Sequence, residues 1–90
     1  MERKVINIFG RVQKVGFRFS ILQKARQMNI TGCVRNLRDG SVEVEAQGAE
    51  SEIEKFVEWC KKGPPYSEVK KIIIEDIEVI EDSNKFEIMQ

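Results

Sequence analysis

The sequence predicts an α+β fold, a ferredoxin-like α/β sandwich with two helices on one face of an antiparallel sheet. Three observations lead there. Runs of β-forming residues alternate with two stretches whose apolar residues recur every three or four positions. The order of these elements is β-α-β-β-α-β, followed by a short terminal strand. Two helices interleaved this way bury their apolar stripes most simply by sharing one sheet face, in the split βαβ arrangement.

Each element has its own signal. Lys4 to Phe9 (KVINIF) is rich in β-formers and reads as a strand closed by Gly10. Residues 11 to 16 read as a loop. From Phe17, the positions Phe17, Ile21, Leu22, Ala25 and Met28 trace a helix to about Asn29. GCVRNL, from Gly32, is strand-like, and Asp39-Gly40 is a hairpin turn leading into SVEVEAQG. There Val42, Val44 and Ala46 share one face, with acids on the other. Ser51 and Glu54 suggest a capping box for a second helix, whose buried face is Ile53, Phe56, Val57 and Cys60. Gly63-Pro64-Pro65 ends that helix. Val69 to Ile80 is a further strand region, and Lys85 to Met89 a last short strand.

Composition narrows the function. Ninety residues suit one domain, 1–90, with a single modest core. No apolar run approaches the ~20 residues of a membrane helix. The N-terminus MERKVINIFG has no signal-like apolar segment, so the cytoplasm is the expected location and membrane association is not expected. Cys33 and Cys60 are far apart, with no CxxC pattern, and are expected to be reduced packing residues. The absence of histidine removes serine–histidine and cysteine–histidine catalysis and the usual zinc enzymes.

Charge is unevenly placed although the net charge is zero. Nine basic residues and no acid lie between Arg3 and Arg38. From Asp39 onward there are fourteen acids and six basic residues. An anionic partner for the first half is one explanation, and mutual neutralisation of interleaved halves is the other.

The stretch FGRVQKVGFR, residues 9–18, sharpens the question. It puts Arg11, Lys14 and Arg18 at a strand–helix junction. A cation in the first turn of a helix opposes the positive end of the helix dipole, at a cost of ~0.3–1 kcal/mol. An anion bound there resolves the conflict. Backbone N–H groups of such a loop can form a nest at the helix N-terminus, and Arg18 can donate a two-pronged fork over it. A phosphate or carboxylate site follows, the competing account being a loop of solvated basic residues. The loop matches neither GxxxxGK[ST] nor GxGxxG.

GRVQKVGFR resembles the acylphosphatase signature GxVQGVxFR, and TGCVRNLRDGSVEVEAQG is similar to that family's second motif. GPPYSEV is also similar to the family's segment after the second helix. The resemblance implies hydrolysis of acyl phosphates, which are carboxyl–phosphate mixed anhydrides, without metal or cofactor. It implies that Arg18 holds the phosphate group. The amides around Val12, Gln13, Lys14, Val15 and Gly16 would form the oxygen-binding cradle, and Asn36 would position the attacking water. Its implied partners are a small acyl phosphate substrate and inorganic phosphate as product and inhibitor. A monomer is expected, and nucleic acid is not. Lys14 stands where the family usually has glycine, and Cys33 where it commonly has tryptophan.

The chemistry is coherent without histidine. A carboxylate leaves readily without protonation, and phosphoryl transfer mainly requires positioning and charge stabilisation. An amide side chain can orient water through its donor and acceptor atoms. Strand alternation requires Arg35 and Asn36 to face opposite ways, which assigns Arg35 to a solvated or ion-paired role. The alternative function is an inactive or weak relative that binds an anion or RNA. RNA-binding sheets of this fold display exposed aromatics, whereas this hairpin presents Glu43 and Glu45. A metal carrier of this fold would want CxxC in its first loop, which is absent.

Overall fold

The computed structural model describes residues 1–89. Seven elements follow one another: β1 (Glu2–Arg11), α1 (Phe17–Gln27), β2 (Thr31–Asn36), β3 (Val42–Gly48), α2 (Glu50–Lys62), β4 (Glu68–Ile77) and β5 (Phe86–Ile88). The sheet order is β4-β1-β3-β2-β5. The first four strands pair antiparallel, as the ferredoxin-like order requires. β5 departs from the antiparallel expectation: it lies parallel to β2, so the five-stranded sheet is mixed. The cause is the 78–85 segment, which carries the chain from the β4 edge to the opposite edge. Gln47 holds this segment by accepting from the Ile80 N–H and donating to the Ile80 carbonyl, both at 2.8 Å.

Alternation along the strands decides the faces. Ile6, Ile8, Val34, Val42, Val44, Ala46 and Phe86 point to one side and are buried beneath the helices. Phe17, Ile21 and Ala25 of α1 complete this core, together with Ile53, Phe56, Val57 and Cys60 of α2. The anticipated buried face of α2 is the observed one. On the opposite sheet face, Arg3 is only 6% exposed and donates to Glu45 Oε1 at 3.0 Å and Gln47 Oε1 at 3.1 Å. Cys60 is a core residue, and burial pushes its thiol pKa up. Cys33 is instead half-buried on the helix-free face, where Arg35 donates to its Sγ at 3.9 Å.

The structure revises several boundaries. Gly10 does not close β1. It sits inside the strand at a register shift between Phe9 and Gly10, with φ 132°. A Cβ there would lie 2.1 Å from the Glu68 carbonyl oxygen, so only glycine lets β4 approach the bulge. α1 stops at Gln27. Asn29 then adopts φ 55°, and the Ile30 N–H reaches back to the Ala25 carbonyl at 2.9 Å, a Schellman closure. The expected capping box is absent, because Ala49 occupies the N-cap and Ser51 is already helical. Glu50 and Glu52 favour that end through the helix dipole instead.

Candidate functional site

The strand–helix junction becomes a concavity of about 180 Å³ lined by Val12, Lys14, Gly16, Phe17, Arg18, Phe19, Asn36 and Ile88. Four elements converge to make it: the β1–α1 loop, the first turn of α1 and the ends of β2 and β5.

The backbone of the loop has an unusual pattern. Lys14 has φ 63° and Gly16 has φ 77°, while Gln13 and Val15 are not in the positive range. Left-handed residues at alternate positions are a backbone pattern that anion nests use to turn successive N–H groups toward a common side. Among the described residues, no backbone carbonyl accepts from the N–H groups of Gln13, Lys14, Val15 or Gly16. Gly16 is the N-cap of α1, and its carbonyl accepts the Ser20 N–H at 3.0 Å. A left-handed N-cap favours glycine. The space that a Cβ would fill at Gly16 is open to 4 Å, so a ligand can approach the backbone. Lys14 adopts the left-handed conformation where glycine would be unstrained.

Packing fixes where Arg18 stands. Phe17, the first residue of α1, is buried and meets Trp59 of α2 edge-on, with ring centroids 6.2 Å apart. This anchors the helix start, and Arg18 follows one residue later. The first turn of α1 contains no acid. Among the described residues, neither Arg18 nor Lys14 belongs to an ion pair, whereas Arg3, Lys4 and Arg35 are each paired with carboxylates. The sheet therefore neutralises three of the nine basic residues of the first half, and Lys14 and Arg18 are among those outside any ion pair.

Asn36 ends β2 on the helix side of the sheet. Its Oδ1 is buried, and no protein donor reaches it among the described residues. Arg35 faces the other way, with its guanidinium 3.5 Å from Glu43 and 3.8 Å from Glu45. Of the solvated or ion-paired roles that alternation left to Arg35, the structure shows the ion-paired one.

Gln13 and Val15 lie in the loop, but neither lines the concavity. The Gln13 side chain instead donates to the carbonyls of Leu37 and Ser41, both at 2.8 Å. This clamp ties the loop to the β2–β3 turn immediately after Asn36. The turn is closed by the Leu37 N–H donating to the Ser41 carbonyl, and by Asp39, which accepts from the Ser41 N–H at 2.9 Å. Hydrogen bonds from the Ser41 hydroxyl and N–H hold the Asp39 carboxyl below its ordinary pKa. Gln13 as a clamp, and Phe19 and Ile88 as lining residues, were not identified from sequence.

Two cations outside any ion pair, Lys14 and Arg18, and a loop of N–H groups without backbone acceptors meet at one small cavity among the described residues. Residues 4–88 match the model of the acylphosphatase family, described simply as acylphosphatase. The chain belongs to the acylphosphatase family of enzymes. An acylphosphatase of Acaryochloris marina is 42% identical over 83 residues, covering 92% of this chain and 88% of that protein. One from Actinobacillus pleuropneumoniae is 42% identical over 88 residues and covers 98% of both chains. The crystal structure of acylphosphatase from Bacillus subtilis superposes with a TM-score of 0.95 at 37% identity, covering all of both chains. Among the described residues, no helix is long and apolar enough to cross a membrane.

Proposed function

We propose that this chain hydrolyses acyl phosphates at the concavity between the β1–α1 loop and Asn36. Arg18 and the amides of Val12, Lys14 and Gly16 hold the phosphate oxygens, with the N–H groups of Gln13 and Val15 behind them in the same loop. Asn36 accepts a hydrogen bond from the attacking water and aims its oxygen at phosphorus. The water oxygen bonds to phosphorus as the P–O bond to the acyl group breaks, its electron pair leaving on the carboxylate. One water proton passes to a phosphate oxygen. Charge spreading over the equatorial oxygens in the transition state is matched by donors already oriented toward them. No general base of the protein is needed, because orientation rather than deprotonation is the main requirement.

The observation that carries this reading is that Asn36 lines the same cavity as Arg18, and its Oδ1 is buried and has no protein donor among the described residues. A buried carbonyl without a donor is costly, by about 1–3 kcal/mol, and a bound water relieves that cost. The proposed enzyme acts as a monomer and as one domain over residues 1–90, in the cytoplasm. It takes a small-molecule substrate rather than nucleic acid, and requires no metal or cofactor.

Turnover of benzoyl and acetyl phosphate in ¹⁸O-water with EDTA tests the scheme. Phosphate and carboxylate should appear in equal amounts, with the label in phosphate alone. Label in the carboxylate would place attack at the acyl carbon and overturn the roles of Arg18 and Asn36. No release at all would leave an anion-binding module.

A further inference from the structure

We propose that Phe19 and Ile88 form an apolar shelf that receives the acyl group, so that acyl phosphates with aromatic or extended apolar groups are preferred to acetyl phosphate. This inference rests on the acyl phosphate reading of the cavity. Large apolar side chains exposed singly on a protein surface are ordinary. Here two of them border one small polar cavity. Phe19 is 57% exposed on the first turn of α1, and Ile88 is 38% exposed on β5. Both line the concavity that contains Arg18 and Asn36.

Their placement follows from the fold. Val34 of β2 is paired with Ile88 of β5, so Ile88 lies on the helix-facing side of the sheet, as Val34 and Asn36 do. α1 packs over β2 and β5, which brings its first turn above this corner. The cavity therefore has two chemically different borders. Lys14, Gly16 and Arg18 supply charge and backbone donors, while Phe19 and Ile88 supply apolar surface. Asn36 belongs to the same lining. An acyl phosphate has the same division: a charged phosphate, a polar anhydride linkage with its carbonyl, and an acyl tail. At about 180 Å³ the concavity is smaller than the ~300–1,000 Å³ of typical small-molecule pockets. Phosphate occupies the enclosed part, and the tail lies outward across the shelf.

This contact is present before and during reaction alike, so it acts on KM rather than on kcat. Steady-state kinetics with benzoyl and acetyl phosphate tests the shelf in wild type, Phe19→Ser, Phe19→Leu, Ile88→Ala and the remote control Tyr66→Ala. Wild type should favour benzoyl phosphate in kcat/KM by about tenfold or more, within the range that single apolar groups provide. Phe19→Ser and Ile88→Ala should each reduce this preference several-fold by raising KM for benzoyl phosphate. Phe19→Leu should recover part of it, and Tyr66→Ala should leave it unchanged. Thermal unfolding of each variant identifies loss through misfolding, in which case Phe19→Leu alone decides the question. A preference unaltered in every folded variant would overturn the shelf while leaving hydrolysis intact. A wild type that hydrolyses neither compound would instead overturn the reading on which it rests.

Discussion

Arg35 and Asn36 are consecutive on β2 and serve opposite faces of the sheet. Arg35 is drawn to Glu43 and Glu45, while Asn36 turns beneath the helices with its Oδ1 buried and unpartnered. Pairing with β3 and β5 holds the strand that presents the amide. Removing Asn36 therefore separates positioning from binding. Asn36→Ala should lower turnover by ~10²-fold or more, as expected when a reacting water loses its orienting group. Competitive inhibition by inorganic phosphate should change little, because Arg18 and the loop amides remain. Equal losses of turnover and phosphate inhibition would place Asn36 in the wall of the phosphate site.

Lys14 occupies a left-handed conformation at φ 63°. That conformation costs an L-residue roughly 1–2 kcal/mol, partly offset by the larger unfolded-state entropy of a glycine replacement. Lys14→Gly should consequently raise Tm by a few degrees, since about 1 kcal/mol moves a domain of this size by ~4–8 °C. The lost ammonium should weaken inhibition by inorganic phosphate, most clearly at low salt, where screening is least. Thermal unfolding and phosphate inhibition at two ionic strengths measure both effects. A destabilised Lys14→Gly protein would contradict the strain assigned to this residue.

The Asp39 turn makes a pH-dependent contribution to the edge of the site. Its carboxyl pKa is held below the ordinary value of 3.8, chiefly by the hydrogen bond from the Ser41 hydroxyl. A carboxylate depressed by folding adds stability that is fully present above its unfolded pKa. That contribution disappears as pH falls through the lower, folded value. Asp39→Asn should therefore lower Tm at pH 7, and the gap from wild type should shrink below about pH 3.8. A gap that stays constant through this window would show that the charge of Asp39 contributes nothing to the turn.

Local periodicity made much of this molecule legible. The buried face of α2 followed from Ile53, Phe56, Val57 and Cys60, and the period of two separated Arg35 from Asn36. Arg18 was conspicuous because its charge opposes the local helix dipole. What escaped notice depends on distant parts of the chain. Gln13 is a clamp only because residues 24 and 28 positions away present carbonyls to it. Ile88 borders the cavity only because the 78–85 segment crosses the sheet and sets β5 parallel to β2. Gly10 resembled a strand terminator because its reason for being glycine, the close carbonyl of Glu68, belongs to β4. Ser51 carried a capping signal, but the helix had begun one residue earlier at Glu50.

The direct measurement of the central claim is benzoyl phosphate hydrolysis by Arg18→Gln beside wild type, in EDTA and with inorganic phosphate titrated as competitor. A neutral amide cannot replace the charge-assisted fork of a guanidinium. The native arginine also opposes the helix dipole and has no ion-pair partner among the described residues, so its removal should spare the fold. The account predicts a folded variant with neither turnover nor phosphate inhibition, against a wild type that shows both. A folded Arg18→Gln protein that retained turnover and competitive inhibition by phosphate would contradict it.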